Sequence, residues 1–211
     1  MPDWISQNVE VLSLLVSLGM LAVWIIYLQV FLYSYRRQTR SKIVINRGAG
    51  VDLEARCLVS NMSSDAIYVE SILASVEAHE DSWWCTVTDI ESRGEVELPS
   101  DPKALTHQGP LASGDYMDIG SYRELLERAV DGRGRLEAVL EKMAGPIIAQ
   151  IQVVADYASD DLLVGARRRF QLEVKDQRWL LEPQDGGTQQ IRSRRERRRI
   201  SEDLSRQTSG A

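Results

Sequence analysis

Residues 11–30 read VLSLLVSLGMLAVWIIYLQV, a stretch without one charged side chain. Ser13, Ser17 and Gln29 are its clearly polar residues, and the apolar character runs on through Phe31, Leu32 and Tyr33. At about 1.5 Å of rise per residue, 20 helical residues cover about 30 Å, the hydrocarbon thickness of a bilayer. All faces of such a helix are apolar, which disfavours a core helix of a soluble domain, and a transmembrane helix over 11–33 is predicted. A cleaved signal peptide would show a basic start, an apolar core of about 7–15 residues and a small-residue cleavage site. Residues 1–10 instead hold Asp3 and Glu10 with no Lys or Arg, and Tyr-Ser-Tyr-Arg-Arg follows the apolar run. Trp4 and the Tyr33/Tyr35 pair fall where amphipathic rings favour the two interfaces. Ser13, Ser17 and Gly19 form a small-residue face that offers a route to a homodimer.

Charge is distributed unevenly around this helix. The 211 residues carry a net charge of −6, yet residues 48–187 hold 13 basic and 26 acidic side chains. Basic residues concentrate in the flanks: Arg36, Arg37, Arg40 and Lys42 after the helix, and seven Arg in 188–211. By the positive-inside rule, residues 1–10 are expected outside the cell and everything after the helix in the cytoplasm, at the plasma (inner) membrane. Residues 34–41 then form a basic juxtamembrane segment. Cys57 and Cys85 are expected as reduced thiols, and the sequon Asn61-Met62-Ser63 as unmodified.

From Lys42 onward the periodicity changes to two, the signature of strands. Val51, Leu53, Ala55, Cys57 and Val59 alternate with Asp52, Glu54, Arg56, Leu58 and Ser60, which predicts one strand over 51–60. Asn61-Met-Ser-Ser-Asp65 is turn chemistry. In 66–78 the apolar parity changes midway, so a β-bulge is predicted near Glu70-Ser71. Strands are also predicted over 83–89, 147–157 and 163–174. Ser121-Tyr-Arg-Glu124 is a capping box, and Gly145-Pro146 a stop, so helices are expected near 121–130 and 134–144. The fold class that follows is mainly β, α+β: a transmembrane helix, an antiparallel sandwich over 42–182 with a helical insertion at 121–144, and a flexible, partly helical basic tail over 183–211.

The run from Cys57 to Val69 resembles a strand–turn–strand unit of immunoglobulin-like sandwiches. It departs from that pattern at Trp83-Trp84, which directly precede the second Cys instead of lying well between the two. The order of anchor, Arg-Arg exit, Asn46-Arg-Gly-Ala-Gly50, strands and basic tail resembles single-pass bacterial membrane proteins to which no activity is assigned. That resemblance implies no substrate, cofactor or catalytic residue.

No constellation of catalytic residues emerges. Cys57 and Cys85 fall on apolar faces, and the chain has no CxxC, GxSxG or HExxH signature. Neither a metal nor a cofactor is expected. Arg168 stands out because its parity points inward between Ala166 and Phe170, so it must reach an edge, meet an acid or hold an anion. With His79, Trp83 and Trp84 it makes the candidate lining for a ligand.

Arg192, Arg194, Arg195, Arg197, Arg198 and Arg199 give the tail its charge. Three readings compete: contact with anionic lipid head groups, together with Arg36, Arg37, Arg40 and Lys42; contact with nucleic acid, made less favourable by an acidic body and the lack of interleaved aromatics; or association with the chain's own acidic domain or simple solvation. The function expected from these features is a non-enzymatic scaffold that recruits a protein partner to the membrane. The alternative is a small-ligand sensor or an accessory subunit of a larger membrane complex.

Overall fold

In the computed structural model, residues 8–38, 41–79, 81–87, 107–131, 133–157, 163–193 and 195–198 are described. The chain divides into two compact units, Met1–Arg40 and Ser41–Ala211.

Among its described residues, the first unit is the helix α1 (Val9–Gln38), and Val9–Tyr35 within it is long and apolar enough to cross a membrane. Every side chain from Val9 to Tyr35 is exposed, so its apolar surface is unburied by the protein itself. The hydroxyls of Ser13 and Ser17 donate to the carbonyls of Glu10 and Ser13, at 2.8 Å each. Both polar groups are thus satisfied within the helix, as an apolar solvent requires.

Among the described residues, the second unit carries β1 (Ile43–Arg47), β2 (Arg56–Asn61), β3 (Ile67–Ala78), β4 (Asp81–Thr86), β5 (Gly109–Leu111), β6 (Tyr116–Ser121), α2 (Tyr122–Ala129), α3 (Leu136–Leu140), β7 (Ile147–Tyr157), β8 (Val164–Lys175), β9 (Arg178–Pro183) and β10 (Gln189–Ile191). One sheet has the order β1-β2-β6. A larger one has the order β10-β8-β7-β3-β4, with β5 also pairing β3 and β9 pairing β8. Every described pairing between strands is antiparallel. Ile43, Ile45, Cys57 and Val59 of the small sheet join Ile72, Ala74, Val76, Ala149, Ile151, Val153, Ala166 and Phe170 of the large one in a single buried cluster. Leu125, Leu126 and Leu136 of the two short helices belong to it as well.

The expected bulge is present. Val69 pairs with Ala155 and Ser71 with Val154, leaving Glu70 as the extra residue and sending Ile67 and Val69 to the same side as Ile72 and Ala74. The capping box is present too: Ser121 accepts from the Glu124 amide, and the Glu124 carboxylate accepts from that of Ser121.

The strand predicted over 51–60 begins only at Arg56. Asp52 starts a turn, with its carboxylate accepting from Glu54 N and its carbonyl from Ala55 N. The carbonyls of Leu53 and Ala55 accept instead from Arg123 N and Tyr122 N. These are donors of the first turn of α2, which no helix can satisfy internally. Val51, expected to be buried, is exposed. The helix expected over 134–144 contracts to Leu136–Leu140, and the strand placed at 83–89 spans Asp81–Thr86, with 88 and 89 outside the described residues. The largest difference lies after residue 182. The segment expected to be flexible carries β10, and a helical turn follows at 195–198.

Candidate functional site

Three regions concentrate polar chemistry, and none has the geometry of a known catalytic constellation. The first is interior. Arg168 projects from β8 into the core side of the large sheet, as its parity demands. Its Nη1 donates to the Ile45 carbonyl at 2.6 Å and to Asn46 Oδ1 at 2.7 Å, both on β1, the edge strand of the small sheet. Its guanidinium stacks over Phe170 with 5.3 Å to the ring centroid, and Phe170 meets Tyr122 edge-on at 5.0 Å. The charge therefore reaches a neighbouring edge and a ring face, which offset its desolvation. Beside Tyr122, burial pushes the Cys57 thiol up to about 12 and the Tyr122 hydroxyl well above its ordinary range. A thiol held protonated is no nucleophile.

The other candidates for ligand contact do not converge on Arg168. His79 is exposed in the turn between β3 and β4, with a positive φ of 48°. Trp83 and Trp84 are consecutive on β4 and so take opposite faces: Trp83 packs against the core, while Trp84 lies outside and is 54% exposed. β4 and β8 are separated by β3 and β7.

The second region is the outer face of the large sheet. Pairing sets Trp84, Ser75, Gln150 and Arg169 in one row across β4, β3, β7 and β8. Thr86, Leu73, Gln152, Arg167 and Gln189 form the next row, which extends to β10. The Nε of Arg169 donates to Gln150 Oε1 at 2.8 Å, and that of Arg167 to Gln189 Oε1 at 3.2 Å. Each guanidinium fork is thereby held in orientation by a neighbouring amide.

The third region surrounds Arg123, which pairs with Glu54 and Glu137 and lies 3.9 Å from Glu127. Arg123 holds the Glu137 carboxyl below its usual range. A polar cleft of about 990 Å³ opens beside it, lined among others by Cys85, Glu124, Arg128, Arg135 and Glu137. Burial pushes the Cys85 thiol up and, together with Arg128, His107 down. Among the described residues, no group of three or more His, Cys, Asp and Glu side chains is placed to hold a metal ion.

The basic residues divide. Lys42, Arg192, Arg195 and Arg198 are exposed. Arg197, expected at a membrane surface, is only 8% exposed, and its Nε donates to the Leu163 carbonyl. It anchors the helical turn to the start of β8, and Glu196 adds an ion pair with Arg167 at 3.8 Å. Arg40, Arg194 and Arg199 lie outside the described residues, as do the side chains of Arg36 and Arg37.

Sequence reasoning missed a pair of residues that join the sheets. The side-chain amide of Gln190 accepts from Ile43 N at 3.1 Å and donates to Ile43 O at 2.5 Å. The Thr188 hydroxyl accepts from Ile45 N at 2.9 Å and donates to Ile45 O at 3.0 Å. Gln190 thus imitates a peptide group of an adjacent strand and closes the open edge of β1. Thr188-Gln189-Gln190-Ile191 has no polar/apolar alternation, so the sequence offers no periodic signal for this role. No protein-family model matches the chain, and neither does any curated protein or solved structure.

Proposed function

We propose that the protein is a membrane-tethered recruiting module: an immunoglobulin-like β-sandwich, held at the cytoplasmic side of the plasma membrane by α1, that binds a protein partner and catalyses no reaction. The partner presents an acidic segment to the outer face of the large sheet. The observation that carries this reading is the Arg167/Arg169 pair, each fork oriented by a glutamine, with Arg169 in the row that runs to the half-exposed Trp84 and Arg167 in the row beside it. Arginine forks suit carboxylates, and Arg with Trp supplies much of the binding energy at protein interfaces. Residues 48–187 are acidic overall, so the arginines of this face give an acidic partner a local attraction that most of that stretch lacks.

The test places photoreactive benzoylphenylalanine at position 84 of the full chain in its native membrane, with position 174 as a control, since Val174 is also exposed. The expected result is one discrete adduct from position 84 that is lost in Arg167→Glu and Arg169→Glu. An adduct that ignores both charge reversals, or none at all, refutes the proposal. The second reading, a small-ligand sensor or accessory subunit, draws on the cleft beside Cys85 and Arg128. It predicts thermal stabilisation by a small anion that Arg128→Gln abolishes.

A further inference from the structure

The end of the domain at which the chain arrives from α1 has a composition of its own. Lys42 is tied into the 61–65 turn: its amide donates to Ser63 Oγ, and its carbonyl accepts from Met62 N. That turn is braced from several sides. The buried Asn61 side chain donates to the carbonyls of Asp65 and Leu111, Ser113 Oγ donates to the Ser63 carbonyl, and Tyr157 Oη donates to Asp65 Oδ2. On this stiff base stand two exposed apolar side chains, Met62 at 52% and Tyr116 at 66%.

The second basic flank arrives at the same end. Thr188 sits against Ile45 and Gln190 against Ile43, so the chain runs antiparallel to β1 and Arg192 leaves the domain beside Ser41. Arg197 then pins the following turn to Leu163, where β8 begins. Arg192, Arg195 and Arg198 thus follow β10 toward the end of the domain that carries Lys42 and Met62, although about 150 residues separate Lys42 from them in sequence. Asp65 and Asp115 are the exposed acids of the 61–66 and 111–116 loops there, and Asp65 is engaged by Tyr157.

We infer that this end of the domain is a second, peripheral membrane contact that recognises anionic phospholipid head groups. The inference rests on the membrane-tethered reading. Ser41 follows the last residue of α1 by three positions, and a chain covers at most about 3.5 Å per residue, so a bilayer crossed by α1 presents its head groups within reach. Clustered cations near an anionic leaflet are attracted to its phosphates, while Tyr and Met side chains partition into the interface. The cationic residues meet the phosphates, and Met62 with Tyr116 enters the head-group layer. The bonds from Thr188 and Gln190 to β1 hold the tail's arginines in place for that contact.

The full chain would be reconstituted in nanodiscs of phosphatidylcholine alone, or with about one-third phosphatidylglycerol, and trypsin cleavage after Arg192, Arg195 and Arg198 followed by mass spectrometry. The expected result is cleavage slower by about tenfold in the anionic discs. High salt should abolish the difference, and Met62→Ala with Tyr116→Ala should reduce it. Cleavage after Arg178, in the distant β8–β9 hairpin, should be equal in both. Equal tail cleavage in the two lipids overturns the inference, including the case of equal protection, which would mean that the domain itself holds the tail. If the protein remains inserted after alkaline carbonate washing, only this contact fails; if it washes off, the tethering itself fails.

Discussion

Replacing Gln190 with alanine tests whether side chains can finish a β-sheet edge. The residue supplies Ile43 with one acceptor and one donor, and Ile43 is fully buried. Without the amide, one N–H and one C=O lose their partners at a site where water has little access. Each such group costs roughly 1–3 kcal/mol when left unsatisfied. Because β1 is an edge strand, some water can enter, and the low end of that range applies, giving about 2 kcal/mol for the pair. That corresponds to about a 30-fold change in the opening equilibrium of β1. The assay is native-state hydrogen exchange of the full chain in micelles, read on peptides covering 41–48. Exchange there should quicken about 30-fold while 151–155, central in the large sheet, stays unchanged. Gln190→Glu keeps the acceptor for Ile43 N but sets a carboxylate against the Ile43 carbonyl, so it should be at least as damaging. Thr188→Ser should retain protection of Ile45, and the nearly isosteric Thr188→Val should lose it. If Gln190→Ala leaves exchange over 41–48 as it was, the amide contributes nothing and the account of this edge is wrong.

Two further outcomes follow from a buried thiol and a glycine at positive φ. The Cys57 thiol is raised from 9.0 to about 12 in the folded protein, so its contribution is complete below about pH 9 and is lost as pH rises toward 12. The slope over that window is about 1.4 kcal/mol per pH unit; Cys57→Ala should start less stable but show a shallower decline in urea midpoints between pH 9 and 11, and parallel profiles would refute the assignment. Gly120 has a φ of +108°, and a Cβ there would approach Glu124 Oε2 to 2.7 Å, so Gly120→Ala should both strain the backbone and displace a capping carboxylate. A loss of about 2–3 kcal/mol is expected from thermal unfolding, more than from Ser121→Ala, at about 1 kcal/mol.

Patterns that repeat over ten or more residues were legible from the chain. The apolar helix needed only composition; Ile147–Tyr157 and Val164–Lys175 carry five or more alternations each, and Ser121 to Glu124 encodes its own cap. Shorter elements escaped. β5 and β10 have three residues each and owe their strand state to partners far along the chain. β9 reads Arg-Trp-Leu-Leu-Glu-Pro, without alternation, and the turn before it uses Asp176 and Gln177 at positive φ instead of a glycine. Residues 51–55 alternate like a strand, yet the unsatisfied amides of α2 claim the Leu53 and Ala55 carbonyls. The outer-face arginines could be listed from parity, but their glutamine partners depend on register, which only the assembled sheet defines.

The bulge at Glu70 has a consequence for insertions and deletions. In a regular strand, removing one residue turns everything beyond it over, exchanging wet and dry faces. In β3 the extra residue is already there, since Val69 and Ser71 face the consecutive partners Ala155 and Val154. A gene lacking the Glu70 codon would therefore encode an uninterrupted ladder with every remaining side chain on its present side, losing the local bend and the bond from Gln108 to the Glu70 carbonyl. An added codon at the same place would invert half the strand, so β3 should accept length changes in one direction only.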